Sequence, residues 1–345
     1  MNDKKDLLHT NTLSVDTKKS MKSRIIVGLL LVVTIAPLIF LGDYAFLALI
    51  LGLSAFGTYE IIRVPQSVDK KFSIWVHIVT YLAIFVPFLA TFVINNAVLT
   101  KGVDFRGFYD YTTGFSDITN GLIAFVGIIL FYFIICFFDE KFSIQDVFYF
   151  IVMDGILFLG MISLLQLRYL PLLDITKTLG VGIYSSEISL TTRFVWTTGL
   201  IFYMALGVCG NDVFAYFTGV LFGKHKMIPR ISPKKTWEGF VGGVIGSILL
   251  SGGFAFLLAG LGHPILPFFD FKHWYLIVGF SILLPITATI GDLIFSAIKR
   301  QYAIKDFGTL LRSHGGILDR LDSILISSCA LAISVNMLIK LFGLI

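Results

Sequence analysis

Long runs of apolar residues, each about the length of a membrane crossing, alternate along the chain with short polar segments. A helix needs about 20 apolar residues to cross the hydrocarbon core of a bilayer. Runs of that kind cover 24–42, 44–62, 73–94, 121–138, 147–168, 194–219, 239–261, 274–295 and 322–343. The pattern predicts an all-α, polytopic integral membrane protein with about nine transmembrane helices. Residues 1–23 are polar and read as a disordered arm, 24–193 as N-terminal transmembrane helices, and 194–345 as a C-terminal region that holds the unusual polar residues. The first run is too long for the apolar core of a signal peptide and no small-residue cleavage site follows it, so it reads as a retained span. The sixth run carries Gly207, Gly210, Asn211 and Asp212 near its middle. This predicts a broken helix, which is tolerated only where protein or water surrounds it.

Composition fits that solvent. The 345 residues are 56% hydrophobic and 14% charged, against about 25% charged in soluble domains, and the mean hydropathy is +0.87. So much apolar surface calls for lipid around it. Cys136, Cys209 and Cys329 each sit in an apolar run, without metal-ligand spacing, and read as small buried hydrophobes.

The placement of charge orients the spans. Cytoplasmic loops of membrane proteins carry an excess of Lys and Arg. Lys4, Lys5, Lys18, Lys19 and Lys22 place the N-terminal arm in the cytoplasm. Counting spans from there puts Arg63, Lys70 and Lys71 on the same side, together with the loops 223–238 and 296–321. The loop 95–120 then falls outside, where Asp104, Asp110 and Asp117 outweigh Lys101 and Arg106. The expected location is the cell membrane, multi-pass, with the two loops richest in unusual residues facing the cytoplasm.

Ionisable residues within spans mark function by default, because a charge in hydrocarbon costs at least a few kcal/mol. Asp212, Asp292, Asp319 and Asp322 are of this kind. Asp292, Ser296 and Lys299 are spaced to share one helix face, and so are Asp319 and Asp322. Carboxylates converging in one layer suit Mg²⁺, which is usually held by one or two of them plus substrate phosphates. Cations surround the acids: Lys299, Arg300, Lys305 and Arg320 in one loop, Ser232-Pro233-Lys234-Lys235-Thr236 in the other. Ser232 before Pro233 predicts a helix start, with Ser232 as N-cap, and helix starts with nearby lysines bind phosphate. His314-Gly315-Gly316 offers backbone N–H groups to an anion. Carboxylates for a metal beside cations for phosphates point to phosphoryl or nucleotidyl transfer.

These residues carry a resemblance. Ser296-Ala297-Ile298-Lys299-Arg300, then Lys305-Asp306, then His314-Gly315-Gly316-Ile317-Leu318-Asp319-Arg320-Leu321-Asp322-Ser323 resembles the signature of the phosphatidate cytidylyltransferases, or CDP-diacylglycerol synthases. Ser232 to Gly239 looks like a second hallmark of that family, and Asn211-Asp212 followed by Ala215-Tyr216-Phe217-Thr218-Gly219 like a third. One departure stands out: the family usually has Pro-Gly before His-Gly-Gly, where this chain has Arg312-Ser313.

The resemblance implies transfer of CMP from CTP to phosphatidic acid, giving CDP-diacylglycerol and pyrophosphate with Mg²⁺. It implies Asp292 and Asp319 as metal ligands, with Lys299 and Asp212 beside them as candidate catalytic groups. Nucleotide and phosphate contacts are expected from Ser232, Lys234, Lys235, Thr236, Ser296, Arg300, Lys305, His314 and Arg320. A second, monovalent cation and a homodimer are left open, and no nucleic-acid partner is expected. Two other readings stand beside this one. An anion transporter would need charges near the midplane and a path to the far side. A related CTP-dependent lipid enzyme would share the same phosphate chemistry.

Overall fold

A computed structural model of the chain describes residues 33–41, 43–66, 71–95, 114–179, 190–266, 268–310 and 315–341. The predicted arm 1–23, most of the first predicted span, the loop stretch 96–113, and Arg312, Ser313 and His314 lie outside the described residues. After a helical stretch at 33–41, the chain forms α1 (Asp43–Gln66), α2 (Ile74–Asn95), α3 (Gly114–Phe138), α4 (Ile144–Leu179) and α5 (Leu190–Phe222). A two-stranded antiparallel hairpin follows, β1 (Lys226–Ile228) and β2 (Ser232–Thr236). Then come α6 (Trp237–Ser247), a single π-helical turn (Ile248–Gly252), α7 (Gly253–Gly260), α8 (Trp274–Gln301) and α9 (Leu318–Leu341).

The apolar runs become helices because a chain in lipid must satisfy its backbone polar groups internally. Among the described residues seven helices are long and apolar enough to cross a membrane, with α6, the π turn and α7 acting as one, while α2 carries a shorter apolar stretch, Ile74–Leu89. The fold is all-α and polytopic.

Small residues set the tightest contact. α6 turns Gly239, Gly242, Gly243 and Gly246 toward α5, where a side chain at these positions would run into Ala215, Thr218, Asn211 and Phe214 in turn. In lipid, where there is no hydrophobic force between helices, such close approach replaces it with van der Waals contact. The two halves of the chain meet in the same manner: Gly160 of α4 leaves room for Leu325 of α9, and Ser328 Oγ donates to the Gly160 carbonyl at 3.1 Å. Hydroxyls tie the interior. Tyr203 Oη donates to the Ile277 carbonyl at 3.1 Å and lies 2.9 Å from Ser281 Oγ, and Thr287 Oγ1 lies 3.2 Å from Ser327 Oγ.

Two sequence expectations change. The sixth span is not broken: α5 runs through Gly207, Gly210, Asn211 and Asp212 without interruption. Those glycines serve contact, with Gly207 against Leu284 and Gly210 3.2 Å from the Gly246 carbonyl, measured from where a Cβ would sit. The irregular turn falls instead in the next span, at Ile248–Gly252, where Ser251 Oγ donates back to the Ser247 carbonyl at 2.7 Å. Hydroxyls that bond the preceding turn bend helices. The cysteines are also less enclosed than expected: Cys209 is exposed on α5, and Cys136 and Cys329 are half-buried. In lipid an apolar side chain is at ease on the outside of the bundle.

Side-chain contacts gather the loops at one end. Glu60, near the C-terminus of α1, bonds the N-terminus of α9. The rings of Tyr149, near the start of α4, and Tyr302, just past α8, meet edge-on at 5.0 Å. Arg300 Nε donates to the Ile231 carbonyl in the hairpin at 3.3 Å. The loops that parity assigns to one face of the membrane are therefore neighbours.

Candidate active site

The hairpin delivers the first basic group. Ser232 and Pro233 lie on β2, not at a helix start. The helix begins at Trp237, and its N-cap is Thr236, whose Oγ1 accepts from Gly239 N at 3.1 Å. Both placements suit the residues: Pro, lacking an N–H, fits an edge strand as well as a first helical turn, and Thr caps as Ser does. One consequence is that Lys234 and Lys235 point to opposite faces of a strand. Lys234 is exposed. Lys235 turns inward to Asp292, with Nζ 2.7 Å from Oδ2, and donates to the Thr289 carbonyl at 3.3 Å.

Asp292 receives a second contact from its own helix face, Ser296 Oγ donating to Oδ1 at 3.2 Å. The predicted face-sharing holds for Asp292 and Ser296, while Lys299, further along α8, turns to Asp319. Asp212 on α5 and Asp322 on α9 lie within electrostatic range of Asp292 and of each other. Lys235 and Arg320 oppose the charge of Asp212, and Lys299 opposes that of Asp322. Three acids from three helices thus share one electrostatic field. Asp292 is nine residues before the end of α8, and Asp212 ten before the end of α5. At 1.5 Å per residue each lies about 14–15 Å inside its helix end.

Asp319 is differently engaged. Oδ1 accepts from Lys299 Nζ at 2.8 Å, and Oδ2 accepts the N–H groups of Phe307 at 2.8 Å and Gly316 at 2.9 Å. This pair is enclosed, its side chains only 12% and 4% exposed, whereas Lys235 and Asp292 are 25% and 35% exposed. Lys299 also lies over the Phe307 ring, 5.6 Å from its centre. Gly315 takes a φ of +77°, which favours glycine, and lets the chain turn into α9. The Gly316 N–H, expected to face an anion, is therefore taken by Asp319. Lys305 is exposed at the same end, and His314 lies outside the described residues.

Sequence reasoning missed one carboxylate. Glu60 of α1 is 1% exposed, and its two oxygens accept the N–H groups of Ile317 and Leu318, each at 2.9 Å. The signal was present: a lone acid in an apolar run, the same feature that singled out Asp292.

Among the described residues, no group of three or more His, Cys, Asp or Glu could hold a metal ion by itself. Mg²⁺ seldom needs such a cage, since substrate phosphates and water complete its shell. The hard oxygens of Asp292, with Asp212 and Asp322 in range and mutually repelling, fit a Mg²⁺ that arrives with phosphates. Asp319 fits less well, because it is only 4% exposed against 35% for Asp292 and already holds three of the protein's own donors, two of them backbone N–H groups.

The fold and these charges define a helical membrane protein with a recessed acid-and-lysine site at one end. Comparison with known families makes the class specific. The model of the cytidylyltransferase family matches residues 22–338, and the chain belongs to that family. Proteins named phosphatidate cytidylyltransferase are similar to part of it. The one from Mycobacterium bovis is 41% identical over 141 residues, covering 41% of this chain and 42% of that protein. The one from Bacillus subtilis is 42% identical over 125 residues, covering 36% and 43%, and the one from Staphylococcus aureus (strain COL) 40% over 124, covering 36% and 44%. Each match spans about two fifths of the relative's length.

Proposed function

We propose that this protein is a CTP:phosphatidate cytidylyltransferase, making CDP-diacylglycerol and pyrophosphate at the cytoplasmic face of the cell membrane. The observation that carries this reading is the Lys235–Asp292 pair, with Asp212 and Asp322 of two further helices within electrostatic range of it. Asp212 is exposed on the same helix surface as Val213, Tyr216 and Phe217, themselves at least half exposed. That surface suits a substrate whose tails remain in lipid.

Both substrates are anions, so the barrier is largely one of repulsion and placement. A phosphate oxygen of phosphatidate attacks the α-phosphorus of CTP, the bond to the β-phosphate breaks, and pyrophosphate leaves. The nucleophile is already ionised, so no protein base is required. Lys235 has three donors and can keep Asp292 and Thr289 while reaching a phosphate. Lys299, fixed by Asp319, supplies a second positive charge where charge builds on the leaving group. Arg300 and Lys305 extend the basic surface toward the aqueous entrance. Asp292, with Asp212 and Asp322 opposite, would hold the Mg²⁺, which when bound neutralises phosphate charge.

The test is purified protein in phosphatidate-containing vesicles with radiolabelled CTP, with and without Mg²⁺. Label passing into a CDP-lipid product only with Mg²⁺ is expected. A folded, monodisperse protein that moves no label into lipid overturns the assignment. So does phosphatidate-independent uptake of anions into the vesicles, which favours a transporter.

A further inference from the structure

We infer that Glu60 is a positioning residue for the transfer reaction: from α1, far outside the signature motifs, it fixes the backbone that aims Asp319 and, through it, Lys299. The inference rests on the function proposed above for its kinetic consequence, but not for its geometry.

The geometry is a double clamp. Glu60 accepts the N–H groups of Ile317 and Leu318, and Asp319 accepts those of Phe307 and Gly316. Two carboxylates from different helices therefore hold four backbone donors around the entry to α9. The space is closed on both sides of Glu60. Gly308 and Gly316 lie so near its carboxylate that neither could carry a Cβ without displacing it. The charge is also costly where it stands, because Glu60 is buried and Asp319 repels it, with Arg63 opposing that repulsion among the described residues. Burying a carboxylate against a second carboxylate is not what helix capping alone requires. A neutral Ser, Thr or Asn satisfies helix-start donors without that repulsion.

The clamp explains a fixed lysine. Lys299 is held at 2.8 Å by Asp319 Oδ1, while Oδ2 is held by the loop. Whatever moves the loop rotates the Asp319 carboxylate and shifts the lysine. Displacement of a catalytic group by about 1 Å costs on the order of 100-fold in rate. Glu60→Gln is the informative change. Its amide has one acceptor oxygen, and its NH₂ group must face a backbone N–H, donor against donor. Glu60→Asp keeps both oxygens on a shorter stem.

Three proteins test this: Glu60→Gln, Glu60→Asp, and Asp154→Asn as a comparison. Asp154 is another buried carboxylate of the N-terminal helices, and the hydrogen bond it accepts comes from Tyr132 at 2.6 Å, not from the loop entering α9. Hydrogen–deuterium exchange at peptides carrying Phe307 and 316–318 should accelerate in Glu60→Gln and not in Asp154→Asn. For cytidylyl transfer, Glu60→Gln should lower kcat about 10- to 100-fold with KM for CTP changed less than about threefold, the range of effects for groups that orient a reacting one. Glu60→Asp should recover part of the loss. Unchanged exchange in Glu60→Gln overturns the clamp. Faster exchange with wild-type kcat, or a kcat loss equal to that of Asp154→Asn, overturns the positioning role. If exchange responds as expected but wild-type protein transfers no CMP, the proposed function fails while the clamp stands.

Discussion

Replacing each aspartate of the predicted pair by asparagine should separate stability from chemistry. Asp319 and Lys299 form an enclosed pair, 4% and 12% exposed. In Asp319→Asn the new side chain would keep one carbonyl oxygen, enough to accept the N–H groups of Phe307 and Gly316. Its NH₂ group would then face the Lys299 ammonium, leaving a buried charge uncompensated. Removing one partner of a buried pair costs about 3–5 kcal/mol. Asp292 and Lys235, at 35% and 25% exposed, stand nearer water, and breaking a pair of that kind costs about 0–1 kcal/mol. Both variants should lose turnover by about 10- to 100-fold, since each disturbs a group of the proposed phosphate site. The assay is unfolding in detergent followed by the fluorescence of the four tryptophans, run beside label transfer from CTP. Asp319→Asn should unfold well below wild type and Asp292→Asn close to it. Equal midpoints for the two variants, or a wild-type midpoint for Asp319→Asn, would refute the reasoning.

Three more outcomes are expected. In a background lacking Cys136, Cys209 and Cys329, single cysteines at 226 and 305 should react with impermeant maleimide from one and the same side of sealed vesicles, and from the cytoplasmic side. Labelling of the two from opposite sides would contradict both the parity count and the Arg300 contact with the hairpin. Lys235→Ala should depress kcat, and Lys234→Ala, on the other face of β2, should mainly raise KM for CTP; equal KM changes for both substrates in the Lys234 variant would make it a general attractant for anions. Gly243→Leu should reduce the yield of folded protein severely, because its side chain would enter Asn211 and Ala215, whereas Gly253→Leu, with open space around it, should be tolerated.

The apolar runs made the helices legible, since no other structure satisfies the backbone of an apolar run of this length in lipid. Acids inside them singled out Asp212, Asp292, Asp319 and Asp322, and the basic residues beside them, Lys299 among these, as candidates for one site. What stayed hidden were choices between local alternatives of similar free energy. Ser232-Pro233 suits a strand edge and a helix start alike, and the hairpin contact of Lys226 with Thr236 decided for the strand. Glycines in α5 read as a break because flexibility and close packing leave the same mark in sequence; only the glycines of α6 opposite them distinguish the two. Glu60 stood out as a lone acid in an apolar run, but its role could not be read. Its partners, Ile317 and Leu318, contribute backbone N–H groups, which every residue but proline has and no motif can announce.

The clamp between α1 and α9 also bears on how the molecule comes into being. Glu60 and Leu318 are 258 positions apart. At about 5–20 residues per second of synthesis, roughly 13–50 seconds separate their emergence from the ribosome. During that interval α1 carries a carboxylate with no helix start to receive it, inside an apolar segment. The growing chain must shelter that charge at the membrane surface or hold it protonated. Only the arrival of α9 brings Asp319 and Asp322 to the other acids, so ribosomal products that stop short of it lack two carboxylates of the candidate site.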